Sequence, residues 1–281
     1  MGSEVFALIY GLTAAVSFGT GDFCGGFAAK RNNVFGVIVI SQLFGLTLLV
    51  VLSLSLGEPL PGWNTLLLGG LAGVFGMIGL LALYRGLATG RMGIVAPISA
   101  VVGAFFPVIV GIFMEGAPSS RQMIGLLLGL CAIWYLGGGG RASSIRLREL
   151  GLPITAGLAF GFFFIIIDQA GNTSILWPLV MARLVSITMI AAFITVRHQN
   201  IKPAWNYQLI IIVIAGLFDA GGNILFALAA RLGRLDISAT ITSLYPAATI
   251  LLAWFILRER LTRPQWFGVA TALIALVLIA S

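Results

Sequence analysis

Charged residues are scarce in this sequence. Lysine, arginine, aspartate and glutamate make up 9% of its 281 residues, whereas hydrophobic residues make up 59%. A soluble domain carries roughly 25% charged residues, so a water-soluble fold of this composition would lack the polar surface that it needs. The shortage of charge therefore excludes a soluble globular protein and indicates a membrane protein.

Histidine and cysteine are nearly missing as well. The single histidine, His198, lies in a basic connection between apolar runs. Cys24 and Cys131 lie in different runs, have no CxxC or metal-ligand spacing, and are interpreted as small packing residues. No HExxH or GxSxG motif occurs. The sequence therefore predicts that the protein is not an enzyme and needs no metal or other cofactor.

Long apolar runs occupy most of the chain instead. A helix needs ~20 mostly apolar residues to cross the hydrocarbon core, and continuous apolar character favours helices over barrel strands. The first run has no basic leader and no small-residue cleavage site, so we interpret it as a retained span rather than a signal peptide. We predict an all-α membrane protein with ten transmembrane helices, at residues 5–28, 34–56, 64–88, 94–114, 122–136, 150–169, 175–196, 207–230, 237–257 and 264–280.

The second half of the chain repeats the first half. Displaced by 143 positions, residues 71–91 align with residues 214–234, with glycines, a phenylalanine and an arginine in matching places. Near the start the displacement falls by one, so that Phe18-Gly19 meets Phe160-Gly161. A nearly constant displacement over about half the chain indicates a duplication. We predict two five-helix repeats, residues 1–140 and 145–281, with a glycine-rich joint at 137–144.

An odd number of spans in each repeat has a topological consequence. After five spans the chain lies on the far side of the membrane, so the second repeat inserts upside down relative to the first. Inverted repeats are a recurrent plan of secondary transporters, whose substrate site lies near the midplane between the repeats. The architecture therefore favours transport by alternating access.

Basic residues are divided unevenly between the connections. The odd-numbered connections, counted together with Arg85 at the end of the third span, hold twelve lysines and arginines, whereas the even-numbered connections and the termini together hold three. The positive-inside rule then predicts that both termini lie outside the cytoplasm. These orientation signals also account for the net charge of +7, so nucleic acid is not an expected partner.

One segment near the C-terminus has the features of a known family. The segment from Pro246 to Thr262, PAATILLAWFILRERLT, is followed by Gln265 and Gly268. It resembles the penultimate-to-last helix signature of EamA-like transporters, in the drug/metabolite transporter superfamily, and the two repeats of about 140 residues resemble that family over the whole chain. The resemblance implies an exporter of amino acids or other metabolites.

The first repeat departs from the family pattern at three positions. Gly103 stands where Pro246 predicts a proline, and Glu115 is one residue out of register with Glu259. Gln42 stands where the family often has an arginine, whereas the second repeat keeps Arg183. These departures bear on which solute the protein takes.

Glycines and prolines predict where the helices deviate from regularity. The stretch Gly19–Gly26 contains four glycines, each costing a helix about 1 kcal/mol, so we expect the first helix to bend or unwind there. Pro97 and Pro107 should break or kink the fourth helix, and Pro246 the ninth.

Ionisable residues inside the spans are candidate functional groups, because charges in the membrane core are costly. Asp219 and Asn223 lie one turn apart in the eighth span, where the first repeat has Gly76 and Leu80. Arg183 is the one basic residue well inside a span. A structural ion pair of Arg183 with Asp219 or Asp168 is one interpretation, and a substrate or proton site is the other.

Further polar residues complete the predicted substrate or proton site. Asp22 follows the glycine cluster, Gln42 lies in the second span, and the ninth span carries several hydroxyl groups that either bond their own helix or line a cavity. Asp168, Gln169 and Asn172 are interpreted as interfacial. The predicted site comprises Asp219, Asn223, Arg183, Tyr245, Asp22, Gln42, Thr242 and Ser243.

The sequence thus predicts a plasma-membrane transporter or facilitator of small metabolites, with the lipid bilayer, a small solute and protons as its partners. The shortage of intramembrane basic residues argues against phosphorylated substrates and favours neutral, zwitterionic or hydrophobic solutes. A proton-coupled exporter of drugs or cations is the alternative, and a receptor or structural role explains the duplication less well. A monomer suffices for this architecture.

Overall fold

The computed structural model describes residues 2–89, 92–136, 147–171, 174–198, 207–257 and 262–280. Within these ranges every regular element is a helix, which confirms the predicted all-α fold. The predicted joint at 137–144, Asn172 and Glu259 lie outside the described residues. The helices are α1 (Gly2–Ala29), α2 (Val34–Ser55), α3 (Trp63–Thr89), α4 (Met92–Glu115), α5 (Ser120–Leu136), α6 (Leu147–Gly171), α7 (Leu176–Val196), α8 (Tyr207–Leu232), α9 (Leu235–Thr242), α10 (Tyr245–Leu257) and α11 (Arg263–Ala280).

Most of these helices are long and apolar enough to cross a bilayer. Eight stretches of the described chain meet that requirement, and one of them, Leu235–Ile256, combines α9 and α10. The apolar helix α5 is shorter, with 17 residues, and α11 has 18. The multi-pass membrane fold therefore agrees with the sequence, while the count of ten spans stays a prediction.

The packing of the helices follows the duplication. Helix α1 packs against α8, and α3, the counterpart of α8, packs against α6, the counterpart of α1. Helices α2 and α7, which are counterparts of each other, are in contact, and so are α5 and α11. The core consequently lies where the two halves of the chain meet.

Helix α1 does not unwind at its glycines, so that part of the expectation is wrong. It is one helix from Gly2 to Ala29. A Cβ atom at Gly19 would meet the Tyr245 carbonyl, one at Gly21 would meet the backbone of Asp219, and one at Gly25 would meet the Tyr84 ring. The glycines therefore let α10, α8 and α3 approach α1, and this close packing offsets their poor helix propensity.

The prolines act differently in the two repeats. Helix α4 continues from Met92 to Glu115 through Pro97 and Pro107, so it is not broken. The predicted ninth span is two helices, because a turn at residues 243–244 separates α9 from α10. Pro246 is the second residue of α10, and the first turn of a helix tolerates proline because its N–H groups have no helical partner.

Carboxylates of the first repeat hold helix N-termini of the second. The Glu58 carboxylate accepts hydrogen bonds from the backbone N–H of Ile175 at 2.8 Å and of Leu176 at 3.0 Å. Ile175 provides no side-chain cap of its own for α7. Likewise Glu115 accepts from the Leu235 N–H at 3.0 Å, where α9 begins. Both contacts satisfy N–H groups that a helix start leaves free.

Candidate functional site

A cavity of about 60 Å³ lies between the two halves of the bundle. A single water molecule needs roughly 10–15 Å³ by the same measure, so the cavity has room for a few waters. The exposed surface of its wall is mostly apolar, although nine of the twenty wall residues are polar or charged. Helices of both repeats contribute to it, since the wall draws on α1–α4 as well as on α6–α8 and α10.

The wall of the cavity is built largely from equivalent positions of the two repeats. The displacement is 141 positions in the second helix, 142 in the first and 143 in the third and fourth, so it stays within two positions of the 143 that defines the repeat. The cavity therefore lies where the repeats face each other. The equivalent pairs in its wall are Phe18 and Phe160, Asp22 and Phe164, Gln42 and Arg183, Gly76 and Asp219, Leu80 and Asn223, and Ala100 and Ser243.

Arg183 has one partner from each repeat, an ion pair with Asp219 and a hydrogen bond to Gln42. Its Nη2 lies 2.5 Å from Asp219 Oδ2, and its Nη1 donates to Gln42 Oε1 at 2.5 Å. Small residues permit this junction, since a Cβ at Gly216 would meet the backbone of Ser41. The pairing with Asp219, one of the two alternatives for a structural ion pair, compensates the buried guanidinium.

Asp22 is the acidic residue of the wall that stays uncompensated. It is 7% exposed, and no hydrogen bond or ion pair reaches it from the described residues. Asp219, the other carboxylate of the wall, lines the same cavity. A buried carboxylate in this setting needs a proton, water or an external cation as its partner.

The remaining polar residues fix the shape of the wall. Asn223 Nδ2 donates to the Asp219 carbonyl at 2.7 Å, one turn earlier in α8. The Tyr245 hydroxyl shares a hydrogen bond of 2.8 Å with the Ser99 hydroxyl and lies 3.2 Å from the Ala96 carbonyl. Tyr245 therefore joins the start of α10 to α4.

Seven of the eight predicted site residues line this one cavity, and Thr242 does not. Thr242 is fully buried at the end of α9, whereas Ser243 in the following turn faces the cavity. The break between α9 and α10 separates these neighbours. Asp168, the other partner considered for Arg183, is also absent from the wall. Among the hydroxyl groups of the predicted ninth span, the Thr240 hydroxyl donates a hydrogen bond to the Asp236 carbonyl of its own helix.

The phenylalanines of the wall were not among the predicted site residues. Phenylalanines are common in membrane helices, so the presence of a phenylalanine in a span does not indicate that it faces a cavity. The repeated Phe18-Gly19 and Phe160-Gly161 dipeptide was a usable signal, since Phe18 and Phe160 both line the wall. Phe163 and Phe164 adjoin them, and the rings of Phe18 and Phe164 lie 6.1 Å apart.

Comparison with known proteins agrees with the duplicated architecture. The EamA-like transporter family matches residues 5–138 and again residues 148–281. An uncharacterized protein of Methanocaldococcus jannaschii is 28% identical over 130 residues, which are 46% of this chain and 95% of that protein. A protein crystal structure superposes with a TM-score of 0.78 over 97% of this chain and 95% of that chain, at 14% identity, and this likeness concerns the fold alone. Because the family matches both halves of the chain, the protein belongs to the EamA-like transporter family, membrane transporters of the drug/metabolite superfamily.

Proposed function

We propose that the protein is a secondary transporter or facilitator that exports small metabolites across the plasma membrane, or the inner membrane of a Gram-negative cell. Ten transmembrane helices form two inverted repeats, residues 1–140 and 145–281, and the solute binds between them. One copy of the chain suffices, because both repeats that enclose the cavity belong to it.

The paired construction of the cavity wall is the observation that carries this proposal. Six pairs of repeat-equivalent residues contribute to the wall. In an inverted repeat, exchanging the conformations of the two halves moves the opening of such a cavity from one side of the membrane to the other. A cavity inside a single repeat would not have this property.

The charges of the wall narrow the class of solute. Arg183 already contacts Asp219 and Gln42, so its positive charge is not free for a second anion. A phosphorylated solute needs several free cationic groups. The arrangement therefore favours neutral, zwitterionic or hydrophobic solutes bound by Asp22, Gln42, Arg183, Asp219, Asn223, Ser243 and Tyr245.

Coupling to protons is the second candidate property, and Asp22 is the residue that favours it. A buried carboxylate without a protein partner gains most from taking up a proton. Export would then exchange a proton for a solute molecule. A facilitator without coupling would leave the solute to follow its own gradient.

Transport in liposomes tests the proposal. The purified chain is reconstituted and offered a panel of radiolabelled amino acids, amines and neutral metabolites, with and without a pH gradient. We expect saturable flux of at least one solute above protein-free liposomes, and a pH gradient that alters the flux identifies proton coupling. Flux no greater than in protein-free liposomes for every member of the panel contradicts the proposed function.

A further inference from the structure

We infer that the protein binds an anionic phospholipid at one end of the helix bundle, through the guanidinium groups of Arg85 and Arg197. The site lies at the end of the bundle where α1 finishes and α2 begins, and neither arginine lines the central cavity. The inference goes beyond the proposed transport function and does not depend on it.

Two arginines and two phenylalanines form a stack across three helices. The guanidinium carbon of Arg85 in α3 lies 4.9 Å from the centre of the Phe35 ring in α2. The centres of the Phe35 and Phe193 rings are 5.1 Å apart. The guanidinium carbon of Arg197, which caps α7, lies 5.9 Å from the Phe193 ring. An aromatic ring attracts a guanidinium group above its face, so the rings of this arginine stack hold both charges in place.

The arginine stack leaves both of its positive charges available to an outside partner. Neither guanidinium group has a charged or hydrogen-bonding partner among the described residues, and both side chains are exposed. Acidic residues are also scarce at this end of the chain's spans. Of the nine in the sequence, Glu149 and Glu259 are the two that lie in the odd-numbered connections. A negative charge from outside the protein can therefore approach the stack.

The depth of the stack favours a lipid over a soluble anion. Arg85 lies one turn before the end of α3 at Thr89, within a stretch that is apolar enough to span the membrane. An exposed arginine at this depth extends its guanidinium group towards the headgroups, where the lipid phosphates lie. On the outside of α7, Phe193 is 39% and Val196 is 76% exposed, so acyl chains have an apolar surface beside the charges.

The guanidinium group also suits the chemistry of the headgroup. Its planar set of N–H donors can bind two phosphate oxygens at once, which a lysine ammonium group cannot do with the same geometry. Two such groups exceed the single charge of one phosphate, so a lipid with net negative charge is favoured over a zwitterionic one.

The duplication provides an internal comparison, because the same four positions recur at the opposite end of the bundle. The displacements of the second and third helices place a leucine at each of them, namely Leu228 for Arg85, Leu176 for Phe35, Leu52 for Phe193 and Leu56 for Arg197. The opposite end therefore has neither the charges nor the rings. The uneven distribution of basic residues predicts that the stack faces the cytoplasm, and anionic lipids give the cytoplasmic leaflet its negative surface potential.

Native mass spectrometry of the purified protein tests the inference without requiring transport. The probes are phosphatidylglycerol, which has a net negative charge, and phosphatidylcholine, which has the same phosphate but no net charge. We expect the wild-type protein in detergent to bind phosphatidylglycerol about tenfold more tightly than phosphatidylcholine. Equal binding of the two lipids would overturn the inference.

A matched pair of double variants then assigns the lipid to the stack. Arg85→Gln combined with Arg197→Gln removes two positive charges from it. Arg121→Gln combined with Arg231→Gln removes two from exposed positions at the opposite end of the bundle. We expect about tenfold weaker binding of phosphatidylglycerol to the first double variant and unchanged binding to the second. Unchanged binding to the first, or an equal loss in both, contradicts the assignment.

A variant that keeps every charge tests the rings and serves if the arginine double variant does not fold. Phe193→Leu introduces the residue that the first repeat has at the equivalent position. Phe44→Leu is its control, since Phe44 is also 39% exposed but lies nine residues beyond Phe35 in α2. We expect phosphatidylglycerol to bind about threefold more weakly to Phe193→Leu and equally well to Phe44→Leu. Unchanged binding to folded Phe193→Leu contradicts the role of the stack.

A soluble phosphate ester distinguishes a lipid site from a general phosphate site. Glycerol 3-phosphate has the phosphate and glycerol of the lipid without its acyl chains. We expect an excess of glycerol 3-phosphate to leave phosphatidylglycerol bound to the wild-type protein, because the apolar surface beside the stack contributes to lipid binding. Displacement of the lipid by glycerol 3-phosphate would overturn the assignment to a phospholipid.

Discussion

Gln42 and Arg183 occupy equivalent positions of the two repeats and bind each other, with Arg183 Nη1 donating to Gln42 Oε1 at 2.5 Å. The neighbouring sequence supports the equivalence, since Thr47 and Thr188 also match, and each bonds the carbonyl four residues earlier. A residue and its repeat counterpart can touch only close to the axis that relates the repeats. This contact therefore lies close to the axis that relates the repeats.

The neutral partner of Arg183 stabilises the fold. Replacing Gln42 by Leu removes an acceptor from a buried guanidinium, and a hydrogen bond to a charged group contributes about 1.5–3 kcal/mol. We expect Gln42→Leu to lower the unfolding temperature of the protein in detergent. Thr188→Val, which alters a hydroxyl on the same helix as Arg183, should change it little. Equal unfolding temperatures for wild type and Gln42→Leu would show that the contact contributes nothing.

The charged partner of Arg183 should matter more for transport than for folding. Asparagine at position 219 keeps the shape of the side chain and removes the negative charge that pairs with Arg183. We expect Asp219→Asn to reduce transport at least about tenfold, a change of about 1.4 kcal/mol, while the protein stays monodisperse. Asp168→Asn is the control. Full transport by well-folded Asp219→Asn and Arg183→Gln proteins rules out a role of this pair in the site.

Close helix contact at Gly216 should not tolerate a side chain. A Cβ there would meet the backbone of Ser41 in α2, and overpacking of this kind costs about 1–3 kcal/mol or more. We expect Gly216→Val to reduce the yield of folded protein sharply. Gly151→Ala in α6, where a Cβ meets nothing within 4 Å, should be neutral or slightly stabilising. Normal yield and stability of Gly216→Val would mean that α2 and α8 can separate freely.

The Glu58 contact should hold one end of the two repeats together. Loss of a side-chain cap at a helix start costs about 0.5–2 kcal/mol. We expect Glu58→Ala to lower the unfolding temperature, and Glu58→Gln, which keeps one carbonyl acceptor for the N–H groups of α7, to lower it less. If the two variants behave alike, the carboxylate does not act as a cap.

The orientation of the chain follows from its basic residues. We predict that both termini lie outside the cytoplasm, because twelve lysines and arginines lie in or next to the odd-numbered connections and three lie elsewhere outside the spans. A Ser281→Cys variant should react with a membrane-impermeant maleimide in intact cells. Reaction only after permeabilisation would reverse the assignment, whereas the membrane fold itself would stand.

The sequence predicted the pairing of charged residues better than it predicted the packing around glycines. Arg183 and Asp219 could be anticipated as a pair, because a buried charge in a membrane has few alternatives. The unwinding expected near Gly19–Gly26 was wrong, because helix propensity describes one chain segment and cannot include the neighbours that press against it. Several glycines in a membrane helix can weaken that helix or allow a neighbouring helix to pack closely against it. Which of the two effects prevails depends on the packing around the glycines.

The division of Thr242 from Ser243 had a similar cause. Both lie in the span predicted from apolar character, and a continuous helix would have put their side chains on adjacent faces. The turn at 243–244 redirects the chain, so that Ser243 and Tyr245 face the cavity while Thr242 is buried elsewhere. Pro246 indicated a break, but its position alone did not give the direction in which the following residues point.

Equivalent positions of the cavity wall hold different residues in the two repeats. This difference decides whether the net charge of the wall is an even or an odd number. A cavity enclosed by two identical subunits holds every side chain twice, so its net charge is always even. In a fused chain the two copies can diverge. Here the repeat counterpart of Asp22 is Phe164, and the counterpart of Asp219 is Gly76. Two carboxylates and one guanidinium give an odd total. Fusion of the two units is thus what allows the wall to hold an odd number of charged side chains.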